Sequence, residues 1–355
     1  MNNNNHLLWA SILKIVAIYA VILIHSSAPL LVQFNEISPQ SWWIGNLYNS
    51  LSRWCIPVFF MLSGAFLIEK MTNSTPLHFY QRRFERVLVP FIAWSVIYLL
   101  WRIYFNNENL AITSFFKLFF QEPLYYHLWY LYVLVELYLF TPVIAAYVKN
   151  ADLKNVIYFL ILWFVFSSIV PLIEAVYKVS IWFSLSSSYS AFQYVGYFIL
   201  GYILRNTVLK GSLLVLSFFA LLFSFFVTAY LTTLFTWRND GQFIDLFYEY
   251  FSFNVFLMAM CIYLIAKSIR LPVFLTNFEN RFHLTETIAA CVPGIYFIHA
   301  IVIGILKRNY LGFHVSDITS FTAIGLPLFS LMVFVGSFLI VSLLKQMPVI
   351  KVILP

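Results

Sequence analysis

The sequence predicts an all-α, polytopic transmembrane helical bundle of about ten spans with both termini cytoplasmic. Three observations lead there. The 355 residues are 62% hydrophobic and only 10% charged, with mean hydropathy +0.86, which leaves too little charge to cover a soluble globule. Apolar runs of about 20 residues recur along the whole chain, the length that crosses a hydrocarbon core as helix. Lys and Arg gather in alternate connections, as at Arg82, Arg83 and Arg86, at Lys149 and Lys154, and at Arg205 and Lys210. The positive-inside rule assigns those connections, and with them both chain ends, to the cytoplasm.

In order, the expected spans fall at roughly 8–28, 53–69, 87–105, 125–147, 155–174, 190–204, 211–235, 246–267, 287–306 and 320–344. The first follows Met1–His6, which has no positive n-region and leads to no clean cleavage site, so it reads as a retained span. The sixth is short for a crossing and contains Gly196 and Gly201. The connection 106–123 includes the aromatic stretch Ala111–Phe120, a candidate interfacial helix that reads most simply as a membrane anchor. No repeat or low-complexity linker divides the chain, so residues 1–355 are expected to form one membrane domain. Cys55, Cys261 and Cys291 lie in apolar runs and read as buried structural thiols. No cysteine or histidine spacing suggests a metal, and the net charge of +7 reflects topology, not nucleic-acid binding.

The polar residues inside the spans are the informative ones, because each costs a few kcal/mol in lipid and by default marks function. Lys14 and His25 are eleven positions apart in the first span. At about 100° per residue they share one helix face, about 16 Å apart along the axis. Arg53 opens the expected second span, His127 begins the fourth in Tyr125-Tyr-His-Leu-Trp129, and His299 lies in the ninth after Pro293-Gly294. With His25, they place four polar groups at similar depth towards the far side of the membrane. Each also has a plainer reading. Arg53 suits a side chain snorkelling to the headgroups, His127 an aromatic belt, and His25 a helix end. The Pro-Gly pair is expected to bend the ninth span and free backbone carbonyls.

Arg82, Arg83 and Arg86 lie at the other end, before the third span, where they suit either topology or a grip on phosphates. Lys14 lies between them and His25. Glu136, mid-span in the fourth helix, needs a cation or a hydrogen-bond donor, and Lys14 is one candidate. Such a gradient suits a phosphorylated cytoplasmic donor reaching an acceptor on the far side. A histidine can take the proton of an alcohol as it attacks an acyl group. No GxSxG nucleophile motif is present, which favours direct transfer over a serine acyl-enzyme.

These residues resemble, in order along the chain, the motifs of the acyltransferase 3 family of bacterial membrane acyltransferases. Lys14-x10-His25 is similar to that family's Arg-x10-His signature, and Ser52-Arg53-Trp-Cys-Ile-Pro57 to its second-span motif. Arg83-Phe-Glu-Arg86 resembles its Arg-x-x-Arg element, and His127-Leu-Trp129 and Tyr296-Phe-Ile-His299 its later histidine elements. The resemblance implies a multi-pass protein of the bacterial inner membrane that moves an acyl group, usually acetyl, from cytoplasmic acyl-CoA to a hydroxyl of a glycan or glycolipid. It implies no tightly bound cofactor, with acetyl-CoA as co-substrate. His25 is the implied catalytic base, and Lys14, Arg83 and Arg86 the implied donor contacts. Arg53, His127, Trp129, Glu136 and His299 are implied acceptor-side or structural residues. Two departures stand out. Lysine replaces the signature arginine at position 14, keeping charge but losing the bidentate fork, and Ser11 stands where many members carry an acid or amide. The competing reading is a transporter or flippase of a polysaccharide or lipid-linked sugar, for which charged spans and a broken helix are equally suited. The sequence leaves the sugar and the oligomeric state open.

Overall fold

The computed structural model describes residues 7–181, 190–269, 271–308, 322–348 and 350–355. Among them, no residue lies in a strand. The α-helices are α1 (Leu8–Leu31), α2 (Pro39–Ser52), α3 (Cys55–Thr72), α4 (Pro76–Arg83), α5 (Val89–Tyr104), α6 (Phe115–Gln121), α7 (Trp129–Asn150) and α8 (Leu153–Phe164). They continue with α9 (Val170–Tyr177), α10 (Ala191–Leu204), α11 (Ser212–Arg238), α12 (Phe253–Ser268), α13 (Val273–Phe282), α14 (Leu284–Lys307) and α15 (Thr322–Leu344). Among the described residues, eight helical stretches are long and apolar enough to cross a membrane. The sixth and eighth expected spans correspond to α10 and α12, apolar helices of only 14 and 16 residues.

α1 is the hub, packed against α2, α3, α12, α14 and α15. Its near-continuous apolar sequence suits burial on several sides. α2 corrects the expected start of the second span: helix begins at Pro39, fourteen residues before Arg53. The segment escapes a hydropathy reading because its buried face is polar. Asn46 and Asn49 are fully buried. Asn49 donates to the Ile24 carbonyl (3.2 Å) and Ser27 Oγ (2.9 Å), and Asn46 to the Ala229 carbonyl (2.9 Å) and Thr233 Oγ1 (2.8 Å). Side-chain amides thus tie α2 to α1 and α11, as polar residues do between membrane helices. α11 answers with Ser224, Thr228, Thr232 and Thr236, a buried stripe at a spacing of four, while Phe219, Phe223 and Phe226 face outwards.

The closest crossing is between α3 and α10. A Cβ added to Gly64 would lie 1.8 Å from the Phe198 carbonyl oxygen, and one on Gly201 would lie 1.9 Å from that of Met61. Only glycine permits backbones this near, which explains how so short a helix is held. Two π-helical turns, Phe84–Leu88 and Val165–Ile169, interrupt the α5 and α9 stretches. Each is followed two residues later by a proline, Pro90 and Pro171. Proline lacks an N–H and its ring crowds the carbonyl four residues back, so the widened turn relieves the clash. The aromatic stretch in the 106–123 connection does form a short helix, α6, with Phe119 buried and Phe116 and Phe120 exposed. All three cysteines are buried free thiols.

Candidate active site

Three chain segments bring three imidazoles together. His25 comes from the seventeenth residue after the start of α1, His127 from the turn ahead of α7, and His299 from α14. The His25 and His299 rings are near-parallel at 24° with centroids 5.5 Å apart. His127 meets His299 edge-on at 4.9 Å and 73°. Tyr126 closes against His25 at 4.7 Å. Tyr296, one turn before His299, holds the cluster by donating its hydroxyl to the His127 carbonyl. His299 is fully buried and His127 nearly so, whereas His25 is half-buried and therefore the reachable member.

The hydrogen bonds fix one tautomer. His299 Nδ1 lies 2.7 Å from the Tyr296 carbonyl oxygen and 3.2 Å from that of Ile295. A nitrogen facing two acceptors must carry the proton, so the neutral ring presents a lone pair at Nε2. That Nε2 is buried without a partner, as are both nitrogens of His127. Buried polar atoms are nearly always satisfied, and exceptions in a native protein call for an explanation.

Arg53 sits at the break between α2 and α3. The 34-residue stretch Pro39–Thr72 spans about 50 Å as helix, and α2 runs back along α1, so the break falls near the level of His25. The guanidinium lies over the Tyr248 ring at 4.2 Å, its Nε is buried and unpartnered, and its charge reaches His25, as does that of Lys307. Trp129 stacks on Tyr250 at 5.6 Å beside this group.

The second cluster lies towards the other end of the bundle. Arg83 ends α4 and Arg86 lies inside the first π turn. Arg83 is 5.6 Å from the Phe79 ring centre and 5.9 Å from that of Tyr138. It lines an open groove of about 390 Å³ with Tyr80, Phe84, Leu88 and Tyr138. Lys70, at the end of α3, lies in the electrostatic range of Arg82, Arg83 and Arg86, and Lys14 in that of Lys70. Lys14 Nζ itself sits 5.5 Å from the Phe66 ring centre. A chain of cations therefore leads from the π turn to the inner face of α1.

Glu136 departs from the expected pairing. It accepts from the Ala191 backbone N–H at 2.8 Å. It caps the N-terminus of α10, where unpaired amides and the helix dipole favour a carboxylate, and among the described residues it forms no ion pair with Lys14. α14 runs without interruption through the Pro293-Gly294 pair to Lys307, and Gly294 admits the Val341 side chain of α15. Sequence reasoning missed Tyr126, Tyr296 and Lys70 as site residues. The two tyrosines stand inside motifs already singled out, and Lys70 counted only as a topology charge.

Fold and site together define an all-helical membrane protein that gathers three imidazoles at one level and a cationic groove at another. The family model described as an acyltransferase domain matches residues 7–345, so the chain belongs to the acyltransferase 3 family and is a membrane acyltransferase. No curated protein and no solved structure matches it.

Proposed function

We propose that this protein is an O-acyltransferase of the bacterial inner membrane. It moves an acyl group, acetyl in the simplest case, from cytoplasmic acyl-CoA to a hydroxyl of a cell-surface polysaccharide or lipid-linked sugar. The observation that carries the reading is the half-buried His25 ring, set among two buried imidazoles and Arg53. His25 takes the proton of the acceptor hydroxyl as its oxygen attacks the thioester carbonyl. The tetrahedral intermediate collapses, the C–S bond breaks, and the departing thiolate regains the proton from His25. Arg53 and His127 offer unpartnered N–H groups for the negative charge that develops on the carbonyl oxygen.

On this reading the cationic chain from Arg83 and Arg86 through Lys70 to Lys14 receives the donor's phosphates on the cytoplasmic side. The distance of about 16 Å from Lys14 to His25 is left to the flexible arm of the donor. The order and spacing of the motifs resemble those of the enterobacterial common antigen O-acetyltransferase and related polysaccharide-modifying enzymes. Mass spectrometry of surface glycans from isogenic strains with and without the gene tests the proposal. Loss of O-acyl groups with polymer still exported supports it. Unchanged acylation with polymer missing from the surface would establish the transporter reading instead.

A further inference from the structure

Among the described residues, hydrogen bonds to two backbone carbonyls fix the tautomer of His299, which has no part in the transfer steps above. Its Nδ1–H is fixed between two carbonyl oxygens of its own helix, and its Nε2 lone pair is buried and unused. The nearest rings are His25, near-parallel at 5.5 Å, and His127, edge-on at 4.9 Å. Two imidazoles joined edge to edge by an N–H···N bond have centres about 5 Å apart, allowing about 2.9 Å between nitrogens. The His25–His299 separation is within a fraction of an ångström of that value, and the rings, here stacked, need only a side-chain rotation to bring the two nitrogens edge to edge. Hydrogen bonds of a catalytic group commonly tighten only when substrate is bound.

A base must present a lone pair to its substrate, so its proton has to reside on the other ring nitrogen. For His25 this demands an acceptor behind the ring. The described surroundings of His25 supply Tyr126, Arg53, Lys307, His299 and His127, whose own tautomer no hydrogen bond fixes. Arginine and lysine are donors only, and the Tyr126 hydroxyl has a freely rotating proton that specifies no tautomer. His299 Nε2 is the one group whose acceptor character the backbone enforces.

We propose that His299 is a positioning residue for His25: its Nε2 accepts the N–H of His25 and so directs the other His25 nitrogen, as a base, to the acceptor hydroxyl. The proposal rests on the acyl-transfer reading. The polarised chain runs from the acceptor O–H through the His25 ring to His299 Nε2, and from His299 Nδ1–H to the carbonyls of Tyr296 and Ile295. It is the logic of a carboxylate behind a catalytic histidine, with a backbone-locked imidazole in the carboxylate's place. The buried position also excludes water from competing for the same nitrogen.

The side chains of Asn and Gln separate this role from a structural one. His299→Asn keeps an amide N–H near Nδ1, able to reach the same carbonyls, but has no atom at Nε2. His299→Gln can place its amide oxygen near Nε2 as an acceptor. Transfer from radiolabelled acetyl-CoA is measured in membrane vesicles from the host strain, beside melting of the purified variants. The expected result is a kcat loss of about 10²-fold or more for Asn and Ala, with KM for acetyl-CoA unchanged, and recovery to within about tenfold of wild type for Gln. Asn with wild-type kcat, or Gln as inactive as a normally melting Asn variant, overturns the positioning role and leaves the transfer reading intact. A wild-type protein that transfers no acyl group overturns the transfer reading itself.

Discussion

Gly64→Ala probes the crossing that sets the site's frame. The added methyl would lie 1.8 Å from the Phe198 carbonyl oxygen and 2.5 Å from its carbon. Ordinary contact for such a pair is about 3.3 Å, so α3 and α10 must part by about 1.5 Å. A side chain could rotate away, but here both partners are backbone. The reciprocal contact at Gly201 on the Met61 carbonyl opens with it. Overpacking of a well-packed interior costs about 1–3 kcal/mol, and the rigid partner places this substitution at or beyond the upper end. Separation also disturbs two site elements, because α3 begins beside Arg53 and the N-terminus of α10 rests on Glu136. Gly336→Ala is the matched control, since its new methyl meets Val302 at 3.9 Å, an ordinary contact, and alanine favours helix. Thermal unfolding of the detergent-purified proteins, followed by labelling of the three buried cysteines with a thiol-reactive dye, reads the difference. Gly64→Ala is expected to melt well below wild type and Gly336→Ala at or slightly above it. Equal melting of Gly64→Ala and wild type would refute the close backbone crossing.

Two further predictions concern charges at helix ends and loops. Glu136→Gln keeps an oxygen for the Ala191 N–H but removes the charge at the α10 dipole, and is expected to cost about 0.3–1 kcal/mol; Glu136→Ala loses the cap as well and costs about 1 kcal/mol more, both read by the same melting assay. In the 106–123 connection, the hydrogen bond from Arg102 to Glu108, at 2.8 Å, holds the Glu108 carboxyl below its ordinary pKa. A carboxylate with a depressed folded-state pKa contributes stability that is present above its unfolded value and is lost as pH falls through the folded one. Glu108→Gln should therefore destabilise by no more than about 1 kcal/mol near neutrality, because the pair is partly exposed, and the difference from wild type should vanish in acid. A difference that persists at low pH would show that the carboxylate's charge is not its source.

How far the fold was legible depended on whether a segment met lipid or protein. α1, α7, α14 and α15 face both and carry enough apolar residues to be read directly. α2 was hidden because Asn46, Asn49 and Ser50 satisfy one another and their neighbours across interfaces, which a hydropathy window scores as loop. That omission hid the helix break between α2 and α3 at which Arg53 lies. α10 was visible but weak, since what holds it is the pair Gly64 and Gly201, and a glycine's partner across an interface is not encoded at any fixed spacing. Depth placed His25, His127 and His299 together because one helical rise per residue fixes height. Azimuth decided the rest. The turn of α14 that aims His299 Nδ1 at Tyr296 and Ile295, and the capping of α10 by Glu136, depend on which faces of the helices meet.

The acid–base role of His25 is the centre of this account, and His25→Ala tests it most directly. Membrane vesicles carrying wild-type or variant protein at equal levels are supplied with radiolabelled acetyl-CoA, and label in the glycan fraction is followed over time. The account predicts a fall of about 10²–10⁴-fold in transfer, with the purified variant still folded and showing a cooperative melt. Transfer at the wild-type rate by the folded His25→Ala protein would contradict it.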